Sequence, residues 1–220
     1  MSGLFCFGSG AMRVDSKKLT RVFKLVAELE DAMSQYCKEG GKSVPVPWEN
    51  VADGVEQMRG IRISVERKLI ETQEPNGMIL TYDDKSADIK VRQGMTDDAD
   101  NFTIIKESMH PLIDEPEDMS PDAANTLTKF IKSSWFGTGN GDEDLDPILQ
   151  SEHLATIAAA AVVVPRERRL NYMADLKAGK TTIAKVAVEI NVPEHIVALA
   201  LDVGFNRLCE EALALKDGDE

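Results

Sequence analysis

Cysteine is scarce in this chain of 220 residues: Cys6, Cys37 and Cys209 are odd in number, widely spaced, and never paired as CxxC. That spacing argues against a disulfide framework and a cysteine zinc site, and favours reduced thiols in a cytoplasmic protein. Basic residues are also short, 25 Lys and Arg against 38 Asp and Glu, for a formal charge of −13 and a pI near 4.7. Binding to phosphate backbones needs clustered Lys and Arg, so no direct nucleic-acid partner is expected. An acidic surface suits solubility or a basic protein partner instead. No apolar run approaches the roughly 20 residues of a membrane span. The opening "MSGLFCFGSG" is too short for a signal-peptide core, and Ser2 does not permit N-myristoylation.

What the chain does have is helical periodicity at both ends of a short β-prone stretch. Residues 1–12 are small and Gly-rich and read as a flexible N-terminus. From Asp15, a fair N-cap, Leu19, Val22, Phe23, Val26, Leu29 and Met33 recur at three and four and predict an amphipathic helix, ended by Gly40-Gly41. "VPVPW" is a rigid connector, and Trp48 to Met58 predicts a second helix. "IRISVER", "GMILTYD" and "ADIKVRQ" predict a small three-stranded sheet over about 61–92, with Pro75-Asn76-Gly77 as a turn signal. "MTDDADN" supplies acids for the N-terminus of a following helix, which Pro111 should kink or stop. Acidic loops at 114–122 and 137–147 flank a predicted helix, Ala123 to Phe136. They lack EF-hand ligand spacing, so solvation explains them better than calcium. "SEHLATIAAAAVVVP" predicts a small-residue helix, and the tail holds four short helical segments. The order is helix, helix, strands, then helices only, which predicts an α+β fold.

One apolar stretch carries a chemical question. In "FTIIKESMHPLID", Glu107 and His110 stand three apart, spaced as in the second half of HExxH, with Lys106 where the first histidine belongs. On the residues alone, such a pair reads as a helix-surface interaction, and Glu152 as an acid near a helix N-terminus. "TTIAKVAVEINVPEHIVALAL" has the rhythm of a helix-turn-helix. Its second helix, however, offers Glu194, His195 and apolar residues to base edges, which favours a packing or partner-binding hairpin.

Taken in order, these lines resemble the ImmA/IrrE-type zinc metallopeptidases of bacteria, phages and mobile elements. That family carries a line of the form RFTxAHELGH, and "NFTIIKESMH" keeps Phe102, Thr103, Glu107 and His110 in register. Its next helix reads roughly ExxANxFAxxLLMP, and "EHLATIAAAAVVVP" keeps Glu152, Ala155, Ala159 and Pro165. A helical pair of the form LAxxFxVSxxxVxxRL follows, which "IAKVAVEINVPEHIVALAL" fits. The resemblance covers about 45–205. It implies a zincin-like domain over 13–165, mostly helical with a small sheet, and a C-terminal helical region, 166–220, with a hairpin packed on the same core.

The resemblance also implies roles. Glu107 takes the position of the catalytic base, His110 that of the second imidazole, and Glu152 that of the third metal ligand. HExxH works because two imidazoles at i and i+4 share one helix face and grip Zn²⁺, while the glutamate reaches the metal-bound water. Lys106 departs from that pattern, since an ammonium has no lone pair to donate. At about 4 Å and an effective dielectric of 20, its charge opposes a metal by roughly 4 kcal/mol per unit charge. His153, adjacent to Glu152, is a candidate replacement but points about 100° away on the same helix. The resulting expectation is a degenerate metallopeptidase with little or no zinc, serving as a regulatory protein that recognises a partner such as a helix-turn-helix repressor. Whether it is an enzyme is left open. A non-enzymatic phage or mobile-element protein and a working zinc endopeptidase with altered ligands are the alternatives.

Overall fold

The computed structural model describes residues 2–7, 10–36, 45–70, 76–115 and 147–214. They form an α+β fold, mostly helical, with a small three-stranded sheet and a run of short C-terminal helices. In chain order these are strands β1 (Ser2–Phe7) and β2 (Gly10–Asp15), then helices α1 (Ser16–Tyr36) and α2 (Trp48–Arg59). Strands β3 (Arg62–Lys68), β4 (Gly77–Tyr82) and β5 (Ser86–Arg92) follow, then helix α3 (Asp97–Ile113). The chain continues with α4 (Pro147–Val163), α5 (Arg166–Lys177), α6 (Ile183–Ile190), α7 (Glu194–Ala200) and α8 (Val203–Ala214).

The periodic apolar stripe of α1 is its buried face: Leu19, Val22, Phe23, Val26 and Leu29 all lie in the core. Helix α2 packs on it through Gly54, where an added Cβ would come 2.6 Å from Leu29 Cδ1. The absent side chain lets the two helices approach closely. Gly60 then ends α2 in the left-handed region, φ +63°, with its N–H returned to Glu56 O.

Within the sheet the order is β3-β5-β4, with β5 parallel to β3 and antiparallel to β4. Strand β5 alternates as period two requires, burying Ala87, Ile89 and Val91. Ile89 and Val91 pack against Ile104 of α3, with Ile63, Val65 and Ile79 beside them. Thus α3 lies on the sheet with one side and faces α2 and α4 with the others. From Ile157 to Val163 helix α4 is apolar all round, and its Ala158, Ala159, Ala160 and Ala161 are buried as a helix turn with no wet face must be. It packs against α1, α3, α7 and β2. Residues of α6, α7 and α8, among them Val186, Ile190, Val197 and Phe205, join the same core as α1 and α4.

Two expectations meet structure they did not include. Over 1–12, read as a flexible N-terminus, the described residues lie in two strands, β1 antiparallel to β2 with Phe7 opposite Gly10. Small residues suggested looseness, but "LFCF" and "MRV" have strand character. The helix expected to kink or stop at Pro111 runs on to Ile113. Proline removes one N–H, yet burial of Leu112 and Ile113 anchors the last turn. The end is further tied by Arg59, whose guanidinium donates to Leu112 O, and by Asp114 N–H bonding His110 O at 2.9 Å. The predicted helix at 123–136, most of its flanking acidic loops, and Gly40-Gly41 lie outside the described residues.

Candidate functional site

The site lies where α3 meets α4. Lys106, Glu107 and His110 come from α3, Ser151 and Glu152 from α4, and Asp114 from the residue that follows α3. Spacing of three and four places Glu107, His110 and Asp114 along one helix face, while the small side chains of α4 let the second helix close over it. Glu107, His110 and Ser151 are all buried, unusual company for a core unless each is paired.

Lys106 supplies much of that pairing. Its Nζ stands 2.5 Å from Glu152 Oε2 and 3.0 Å from Glu107 Oε1, bridging carboxylates from two helices. His110 is held from behind: its Nδ1 lies 2.9 Å from Asp114 Oδ2 and 3.1 Å from Ser151 Oγ. The Ser151 hydroxyl in turn donates to Asp114 Oδ1 at 2.7 Å. A carboxylate at that distance assigns a proton to Nδ1 and turns Nε2 toward the site. There Nε2 is buried without a hydrogen bond, 3.5 Å from Glu152 Oε1 and 3.9 Å from Glu107 Oε2. The structure therefore brings together Lys106, Glu107, His110 and Glu152. His153 is half-buried on the next position of α4 and acts on the Glu152 carboxyl only as its weakest neighbouring charge.

Electrostatics follow from this geometry. Burial opposes the charge on Lys106, but Glu107 and Glu152 outweigh it and hold the ammonium well above its ordinary pKa. Burial likewise opposes the charge on His110, and the Asp114 hydrogen bond with the charges of Asp114, Glu152 and Glu107 overcomes it, raising its pKa. Burial pushes the Glu152 carboxyl up, while Lys106 and His110 pull it down further, for a net lowering. The signs set a stability window. Glu152, with a lowered pKa, contributes above about pH 4.5 and loses its contribution as pH falls through its folded value. His110, with a raised pKa, contributes fully below about pH 6.5 and loses its contribution as pH rises through its folded value. Urea midpoints between pH 3 and 9 should therefore fall off at both ends. Glu152→Gln should flatten the acidic limb, and an unchanged limb would disprove this assignment.

Gly77 completes the wall. It opens β4 against α3, and an added Cβ would lie 2.5 Å from Thr103 Cγ2 and 3.1 Å from Glu107 Cγ. Both neighbours are buried, and a β-branched threonine has little freedom to retreat. Gly77→Ala is expected to cost about 1–3 kcal/mol by overpacking, read as a fall in urea midpoint. A variant as stable as wild type would show that strand and helix separate freely here.

Zinc does not fit these residues as they stand. The donors are two carboxylates and one imidazole, and the ammonium among them has no lone pair and already engages both carboxylates. Among the described residues no group of three or more His, Cys, Asp or Glu is arranged to hold a metal ion. What the arrangement offers instead is a fixed positive charge, ringed by carboxylates, at the junction of two helices.

Sequence reasoning missed Asp114, Ser151 and Gly77. Asp114 had a signal, since it stands four after His110 on the same face. Ser151 and Gly77 had none beyond adjacency to Glu152 and a turn. Elsewhere, Thr182 caps α6, Asn191 at φ +51° ends it, and α7 leaves Glu194, His195 and Ala198 exposed. No described helix is long and apolar enough to cross a membrane. No protein-family model matches the chain, and no curated protein matches it. Among solved structures it is similar to a Mycobacterium tuberculosis transcriptional regulator, with 16% identity and a TM-score of 0.43. That alignment takes in 82% of this chain and 50% of the other, so the chain spans about half the regulator's length.

Proposed function

We propose that the chain is a divergent, zincin-like relative of the ImmA/IrrE-type metallopeptidases that works in the cytoplasm by recognising a protein partner. A helix-turn-helix repressor is the proposed partner class, and the chain cleaves it poorly or not at all. One observation carries the reading: Glu107, His110 and Glu152, the positions the family uses for base and ligands, meet from two helices, with the imidazole 3.9 and 3.5 Å from the two carboxylates and the Lys106 ammonium paired to both. A helix-surface pair would have no need of buried Glu107 and His110, nor of an acid and a hydroxyl holding the imidazole from behind. In this reading the lysine takes the cation's place. The acidic balance of the chain suits a basic partner.

The test is elemental analysis of purified wild type, Lys106→His and His110→Ala. Wild type and His110→Ala should carry little zinc, and Lys106→His about one equivalent. Stoichiometric zinc in wild type that is lost in His110→Ala would make the protein an enzyme with an unusual ligand. Absence of metal from Lys106→His would favour a non-enzymatic interaction protein with no peptidase ancestry in its site.

A further inference from the structure

Lys106 has a donor to spare. An ammonium carries three N–H groups, and two are directed at Glu107 and Glu152. Among the described residues no other hydrogen bond or ion pair engages it. Its side chain is 18% exposed and that of Glu152 28%, whereas Glu107 and His110 are 3% and 7%. The cluster is therefore most open at Glu152 and next at Lys106, the residue that carries the remaining N–H.

The surroundings decide what that donor can take. Glu107, Glu152 and Asp114 present three carboxylates around two basic groups, so an incoming anion meets repulsion from all three. A second cation would have to displace the ammonium, which already holds the Glu107 and Glu152 carboxylates. A neutral oxygen acceptor meets neither, and it gains a charge-assisted hydrogen bond in a largely dry site. We infer that Lys106 is a docking point for a main-chain carbonyl of the protein partner, accepting from the third N–H of the ammonium. The inference rests on the reading above, which supplies a protein as the partner; the carbonyl preference comes from the cluster's own charges.

The test uses full-length wild type with ¹⁵N-labelled lysine. The Lys106 ammonium resonance is assigned by its disappearance in Lys106→Arg. Acetyl-Ala-Ala-Ala-amide, which offers carbonyls and no charge, should move that resonance saturably, while acetate at the same concentration should leave it in place. No movement with the blocked peptide up to its solubility limit overturns the inference. Equal movement with acetate also overturns it, because the site would then take anions. The two readings fail separately. Zinc uptake by Lys106→His together with an unmoved ammonium sinks only the carbonyl site. A peptide shift together with refusal of zinc sinks the metallopeptidase ancestry and leaves the carbonyl site standing.

Discussion

Replacing Lys106 with histidine should raise zinc affinity by at least about a thousandfold. The substitution removes one unit of positive charge within reach of the metal position, worth roughly 4 kcal/mol at about 4 Å and an effective dielectric of 20. Every 1.4 kcal/mol is about tenfold in affinity, so this alone approaches three orders of magnitude. The new imidazole adds a donor four residues before His110, on the same face of α3. It also frees the Glu152 and Glu107 oxygens that the ammonium engages at 2.5 and 3.0 Å. The support behind the His110 ring is already in place, because Asp114 and Ser151 fix it with Nε2 turned inward. Binding should appear twice: as a dissociation constant from chelator competition, and as a melting temperature that rises with added zinc in the variant alone. An affinity no better than wild type would mean that the backbone positions of α3 and α4 do not suit a metal.

The second large effect is expected of Lys106→Met. Methionine fills the same volume with no charge and leaves Glu107, only 2% exposed, facing Glu152 across the helix interface. Breaking a buried pair by deleting one partner costs about 3–5 kcal/mol, because the remaining charge is stranded. Glu152 reaches solvent and can partly recover its hydration, which places the expected loss near about 3 kcal/mol. Adding Glu152→Gln removes one of the two stranded acids, so the double variant should be more stable than Lys106→Met alone. Urea titration at neutral pH reads both. A Lys106→Met protein within about 1 kcal/mol of wild type would show that the carboxylates are solvated and the lysine bridge is incidental.

Much of this molecule could be read without coordinates, for reasons that differ by element. The stripe of α1 was legible because one face of a 3.6-residue period must be buried, and Leu19 through Leu29 are the residues that are. The three strands were legible because each short β-prone run is bounded by turn signals. Their order was not: that β3 lies parallel to β5 depends on a crossover that no local pattern encodes. The two N-terminal strands were not read, because small residues signal both looseness and tight turns. A stop at Pro111 did not follow because a proline rule is local, while burial of Leu112 and Ile113 is tertiary.

At the site, Glu107 and His110 could be found by spacing within one helix. Their meeting with Glu152, 46 residues beyond Lys106 in the chain, came only through resemblance. The buried Ser151 has no sequence signature at all.

The lysine bridge also bears on supply. A metal centre is an equilibrium with its surroundings, filled or emptied as the free ion concentration crosses its dissociation constant. The cation between Glu107 and Glu152 is tied to the backbone of α3 by a covalent bond, so it has no dissociation constant and no competitor. Chelators, metal starvation and displacement by a tighter-binding ion leave it where it is. A site closed in this way keeps its charge without any supply of metal, for as long as the lysine stays protonated.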